Sequence, residues 1–458
     1  MKLNHRLKPW FVAAALLAAP ALLPAQVAVD PAVLENLQKQ VKTLNEEVAR
    51  LKEGAPRDPA ADELMGRKFF NSQNLRIGFY GESKYRMPLQ GSGATGNNRF
   101  DPHRFVLTPS YVIADWLIFN SEIEIEHGAV DESVNSGRNR FDGELEIEQV
   151  YVDILINEHF NIRSPGLDLV PVGRINKQHE PTLFYSTERP ELYREIIPST
   201  WVEPSLSFFG KIVENLDYQL MISTGLEDAI PTAGSTTNST RPAGFAGPGI
   251  DGIGGMRNGR PRYRAASENS LAWSGRLHYN GIRGLDTSAS FYVTKAKGLT
   301  GDSTLALFNY EALYRVPGTG LELRGDVAYW NISSPEHLVA NNNTSGGDDL
   351  GGRMYGWHVE AAYHFWPADW KAGKGKDMDL VPFIRYTDIV TQSGLLAGSA
   401  ATNDGTRNKT FLTAGLAYFL NANFVLKADY RRNLSRSAAS HLDANAQDYF
   451  QFGAGIFF

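Results

Sequence analysis

Two short stretches concentrate acid: SEIEIEHG from Ser121 to Gly128 and GELEIEQ from Gly143 to Gln149. Paired carboxylates can do acid–base chemistry, whereas a long row of them can only line water. Spacing decides between these. On a strand, alternate side chains take opposite faces. Glu122, Glu124 and Glu126 therefore form one row, and Glu144, Glu146 and Glu148 form a second on the neighbouring run, each backed by isoleucine or leucine. Such a wall separates water on one side from an apolar medium on the other, because burying the glutamates without partners would be prohibitively costly.

Other alternating runs repeat the contrast. Glu322, Arg324 and Asp326 oppose Leu321, Leu323 and Val327; Lys427, Asp429 and Arg431 oppose Phe424, Leu426 and Tyr430; His358, Glu360 and His364 oppose Trp357, Val359 and Tyr363. Basic residues on the polar faces, Arg76, Lys84, Arg86, Arg104, Lys427 and Arg431, come from the first two runs and the last but one; Arg174 ends the fifth. Two arrangements fit these charges. Opposite signs facing each other across a narrow aqueous lumen would set up a transverse field; alternatively, neighbours pair and neutralise. An enzymatic reading finds little support. No G-x-S-x-G nucleophile motif is present, and His358 and His364 stand about 20 Å apart along a strand, too far to share a metal. No cofactor is expected.

The elements that must carry these residues are strands. From Asn74 on, period-two runs are expected at 74–87, 103–114, 116–127, 143–157, 159–176 (interrupted at Pro165-Gly166), 201–212, 215–227, 268–280, 285–296, 304–316, 319–332, 353–366, 379–391, 407–420, 422–435 and 446–458. Short and long connections alternate between them, which is the pattern of a transmembrane antiparallel β-barrel with an even strand number. No apolar run after the first residues is long enough for a membrane helix, so a spanning chain must close into a barrel. Trp116, Trp201, Trp330, Trp366, Tyr418 and Tyr449 lie near strand ends and are expected in interfacial girdles. Sixteen strands leave room for an aqueous lumen.

Ahead of the barrel, Lys2, Arg6 and Lys8 precede an apolar run to Leu23, reading as a signal peptide over 1–25 with cleavage after Ala25 or at Ala28; an anchor helix is the competing reading. Leu34, Leu37, Val41, Leu44, Val48 and Leu51 form a heptad seam over 27–54, either self-associating or packing as one amphipathic helix, and 55–73 is a linker. The chain has no cysteine, which excludes a disulfide framework or a Cys-based metal or redox site. Its charge of −6 gives no hint of nucleic acid; losing the three cations of residues 1–25 leaves −9, and a mild cation preference is expected from that excess.

The opening run LRIGFYGESKYR, the strand LEIEQVYVDI, VPVGRINKQHEP leading into the third long loop, and the ending FVLKADYRRN with DYFQFGAGIFF resemble the phosphate-selective porin O and P family of bacterial outer-membrane porins. That resemblance covers most of residues 27–458. It implies a homotrimer in the bacterial outer membrane, with lipid and lipopolysaccharide around it, the coiled coil in the periplasm, and a third loop folded inward to narrow a passage for small hydrophilic solutes. The third loop departs from the phosphate-selecting pattern: Lys177, Arg189 and Arg194 are outnumbered by Glu180, Glu188, Glu191 and Glu195, so phosphate selectivity is not carried over. A structural rival is a tether that joins the barrel to the cell wall through the coiled coil.

Overall fold

The computed structural model describes residues 42, 74–89, 98–127, 144–228, 250, 255–260, 270–298, 300–338, 350–396, 407–435 and 447–458. The chain divides into two units, Met1–Asn71 and Ser72–Phe458. In the first, only Lys42 is described, and it is helical; the signal peptide, the heptad seam and the linker expected there lie outside the described residues.

The second unit is a closed barrel of sixteen antiparallel strands: β1 (Leu75–Pro88), β2 (Arg99–Ala114), β3 (Leu117–Glu126), β4 (Glu144–Leu155), β5 (Asn161–Leu169), β6 (Val202–Val213), β7 (Leu216–Thr224), β8 (Leu271–Tyr279), β9 (Leu285–Lys297), β10 (Asp302–Arg315), β11 (Leu321–Ser333), β12 (Arg353–Tyr363), β13 (Asp379–Ser393), β14 (Asn408–Asn421), β15 (Phe424–Asn433) and β16 (Tyr449–Phe457). Each strand pairs with its sequence neighbours, and β1 closes on β16. At the seam, Phe79 and Phe458 exchange backbone hydrogen bonds of 2.7 and 2.9 Å, and Tyr85 stacks on Phe452 at 5.0 Å. Closure leaves no unpaired edge.

The alternation separates the two faces as the sequence requires. Ile123, Ile125, Leu145 and Ile147 are exposed on the outside, while Glu122, Glu124 and Glu148 are buried within. Phe450 and Phe452 face out, and Gln451 faces in. A bulge lies between Glu122 and Ile123 in the β3–β4 ladder. It lets Gln149, next to Glu148, also reach inward and donate to Glu122. A second bulge carries the Pro165-Gly166 interruption through β5 rather than ending the strand. Gly166 is needed there, because a Cβ would lie 2.2 Å from the Val150 carbonyl oxygen.

Three expectations change. β5 stops at Leu169, not 176, and Arg174 lies in a separate helical turn, Arg174–Lys177. The chain turns into the barrel here because Val170, Val172 and Ile175 have an apolar surface to join inside. Trp201, Trp330 and Tyr449 are not in a girdle; all three point inward and are buried. Trp116 is exposed, and Trp366 stacks on Tyr418 at 5.8 Å at the short-turn end, as a girdle demands.

Inside, the lumen is partly filled. Val170, Val172, Ile175, Phe184, Leu192, Tyr193, Ile196, Ile197 and Trp201, from the segment after β5, form one apolar core with Met221, Tyr292, Leu305, Leu307, Trp330, Ile332, Met354 and Ile389 of the wall. A second helical turn, Leu192–Glu195, sits against Gly356, where a Cβ would come within 2.9 Å of Leu192. The Trp330 indole donates to the Ile196 carbonyl at 2.8 Å.

Candidate functional site

The inward segment docks by charge as well as by apolar contact. Its carboxylates meet the basic side chains of the wall. Glu188 takes Lys84 at 2.8 Å and also Arg86. Glu191 lies 3.7 Å from Arg385 and 3.6 Å from Arg431. Glu195 takes Lys409 at 3.2 Å. Backbone groups add to this: the Thr187 amide donates to Asp429 at 2.6 Å, and Lys427 donates to the Ser186 carbonyl at 3.0 Å while lying over the Phe184 ring. The acidic character of the loop is thus the counterpart of a basic wall on β1 and β13–β15.

Wall carboxylates also pair with wall arginines and with polar groups of the inward segment. Arg104 approaches Glu82 (3.1 Å), Glu124 (3.5 Å) and Glu126 (3.1 Å). Glu322 accepts from Arg324 at 2.6 Å, Arg315 at 2.8 Å and the Tyr185 hydroxyl at 2.8 Å. Glu360 takes Arg385 at 3.1 Å. Asp326 accepts from Tyr193 and from Asn309 at 2.5 Å. Arg174 reaches Asp286 at 2.6 Å. Of the two arrangements open to the sequence, pairing between neighbours is what these residues show. The reason is proximity: Arg104 on β2 stands beside the β3 row, and Coulomb attraction is strongest between neighbours.

Among the remaining expected residues, Arg76 is exposed at the short-turn rim of β1. Glu144 opens β4, with its side chain outside the described residues. Glu146 and Arg194 line the upper cavity described below. Lys177 donates to Gln219 at 3.2 Å, and Arg189 to the Thr200 hydroxyl at 2.9 Å. One carboxylate oxygen of Glu180 is buried without a hydrogen-bond partner among the described residues.

Two cavities flank the inward segment. One, of 320 Å³, opens toward the long-loop end and is lined by β1–β4, Arg431 and residues 188–200 of the segment, with Arg257 and Arg260 from the loop after β7. Nine basic side chains and seven carboxylates surround it. The other, of 420 Å³, opens toward the short-turn end and is lined by Arg174, Tyr185, Asp286, Arg315, Arg324, His364, Asp377, Asp379 and Asn421. Arg260 itself holds the end of the inward segment, donating to the carbonyls of Ser199 and Thr200 at 3.3 and 2.9 Å.

The sequence reading missed the apolar core and the pairing of the loop with the wall. A signal for the first was present: β9–β11 carry Tyr292, Leu305, Leu307 and Trp330 on the face that should be wet.

No protein-family model matches the chain. A protein of Aquifex aeolicus (strain VF5) described as uncharacterized is 27% identical over 387 residues, which is 82% of this chain and 78% of that one. Salmonella typhi OmpF in complex with daunomycin superposes with a TM-score of 0.53 at 14% identity, over 85% of this chain and 99% of its own. The outer membrane channel DcaP of Acinetobacter baumannii gives 0.51 at 12% identity, again over 85% and 99%. At these identities the likeness concerns architecture, and what it establishes is that the second unit has the fold of an outer-membrane porin barrel.

Proposed function

We propose that the protein is a bacterial outer-membrane porin, passing small hydrophilic solutes or ions by passive diffusion through a lumen narrowed by residues 177–200. The observation that carries this reading is the closed barrel with an apolar outside and a polar inside, with a solvent-sized cavity on each side of the inward segment. The similarity to OmpF and DcaP supports it at the level of fold. The resemblance to the phosphate-selective porin O and P family belongs to this proposal without phosphate selectivity, since Lys84, Arg86 and Arg431 are taken up by loop carboxylates.

Selectivity follows from the lining rather than from whole-chain charge. The upper cavity carries a slight basic excess, and the lower one sets three arginines and the protonated His364 against three aspartates, again a slight basic excess. The cation preference expected from −9 therefore gives way to weak selectivity, toward anions if any. A homotrimer is proposed on the heptad seam. The test is the reversal potential of the purified full-length protein in a planar bilayer under a salt gradient. A conducting pore with a reversal potential near zero is expected; absence of conductance from folded protein would overturn the channel reading.

A further inference from the structure

We propose that Asp101, His103 and His127 form a binding site for a borderline divalent cation of the Zn²⁺ type in the wall of the upper cavity. All three residues line that cavity. One ligand atom from each lies within 4.8 Å of the others. His127 Nδ1 is 2.8 Å from Asp101 Oδ1, and His103 Nδ1 is 3.5 Å from Asp101 Oδ2. Tetrahedral coordination by nitrogen and oxygen at about 2.0–2.2 Å needs ligand separations of about 3.3 Å, so only side-chain adjustment is required.

Three observations go beyond mere proximity. The hairpin places the imidazoles opposite each other: the His127 amide donates to the His103 carbonyl at 2.9 Å, and the ring centroids are 5.1 Å apart. His127 holds a left-handed backbone, φ 50°, an uncommon conformation for a non-glycine residue that fixes where its ring leaves the strand end. His103 Nδ1 is buried and has no hydrogen-bond partner among the described residues, while its Nε2 lies 3.8 Å from the Glu82 carboxylate. An unpartnered imidazole nitrogen with a carboxylate behind the opposite nitrogen is the arrangement of a metal-bound histidine and its supporting shell. As it stands, His103 Nε2 accepts from Arg104 Nη2 at 3.4 Å; binding through Nδ1 moves the proton to Nε2, which then gives up that bond and turns to the Glu82 carboxylate 3.8 Å away. Cations already nearby are accounted for. Lys84, 3.9 Å from Asp101, is engaged by Glu188 at 2.8 Å. Arg104, whose Nη2 is 3.4 Å from His103 Nε2, is engaged by Glu82, Glu124 and Glu126. Two imidazoles and one carboxylate favour Zn²⁺, Ni²⁺ or Cu²⁺ over Ca²⁺ and Mg²⁺, which require more oxygen ligands. The cavity leaves the remaining coordination positions open to water.

The experiment is equilibrium dialysis of untagged full-length protein in detergent against Zn²⁺ and, separately, Ca²⁺. A saturable site for Zn²⁺ and none for Ca²⁺ is expected. His127→Ala, at a strand end where the barrel ladder is untouched, should remove the site; Glu82→Gln should weaken it by about 10–100-fold; His159→Ala, in an exposed short turn, should leave it intact. No saturable Zn²⁺ binding, equal binding of Ca²⁺, or Zn²⁺ binding unchanged in His127→Ala would each overturn the proposal. Dialysis does not require a conducting pore, so failure of this site and failure of the channel reading are separately visible.

Discussion

His364, which follows β12 in the short-turn segment, shows how a single side chain can tie a loop to the wall. It bonds Asp379 at 2.5 Å, meets the Tyr185 hydroxyl of the inward segment at 3.0 Å and lies 3.9 Å from Glu322. Hydrogen bonds to Asp379 and Glu322 outweigh partial burial and raise its pKa to about 9. A raised pKa means that its contribution to stability is complete below the unfolded value of about 6.5 and is lost as pH rises through about 9. His364→Gln should therefore lower the melting temperature near pH 6 and have almost no effect near pH 10. Thermal melts of both proteins by circular dichroism at the two pH values check this; a constant difference would exclude the ionic contribution. Arg385 makes a similar test of the buried network. It is buried among Glu360, Glu191 and Ser186. Arg385→Met takes from Glu360 its nearer arginine, leaving Arg324 at 3.8 Å, and from Glu191 one of its two arginines, and should cost up to about 3–5 kcal/mol in denaturant unfolding, with part recovered in the double variant with Glu360→Gln. An unchanged unfolding midpoint would mean that the carboxylates find water or other partners.

At the scale of elements, the inward segment from Val170 to Thr200 depends on small residues in the wall behind it. Gly356→Val would push a side chain into Leu192 and Ile196, which lie 2.9 and 3.0 Å from the position of a Cβ. Overpacking of this kind costs about 1–3 kcal/mol, and the helical turn Leu192–Glu195 should lift away. Single-channel conductance should rise while the far-ultraviolet circular dichroism stays that of the wild type; unchanged conductance would show that this turn does not limit the passage. Strands and inward segment differ in how readable they were. All sixteen strands were legible because lipid and water impose opposite demands on alternate residues, as at Glu122-Ile123-Glu124. The segment answers to no such period. Leu192, Ile196 and Trp201 find their partners Met354, Tyr292 and Trp330 only once the barrel has closed. Alternation along β11 already set Trp330 in the inward row of Glu322, Arg324 and Asp326, but its position near a strand end suggested an interface when it was packed inside. The charges show the same limit. Row membership of Glu124 and Arg104 was visible, but their pairing depends on the stagger of β2 against β3. The facing of His103 and His127 follows from that same hairpin register, once Arg104 is set opposite Glu126.

For the whole molecule, closure is the decisive event, since fifteen of the ladders join strands adjacent in sequence and only β1–β16 spans the chain. Loop-closure entropy falls on that seam. Removing Phe458 would delete both backbone bonds to Phe79 and a ring contact at 5.2 Å. The yield of heat-modifiable, folded barrel on refolding into micelles should drop, and an undiminished yield would place the closing contacts elsewhere. The two cavities have a further consequence. The upper one lies against β1–β4, the lower against β9–β14, on opposite sides of the ring. In the channel proposed above, a solute passing from one cavity to the other would move sideways past the inward segment as well as down. Such an oblique route discriminates by stiffness as much as by cross-section: a rigid rod jams at the bend that a flexible chain of equal mass can thread.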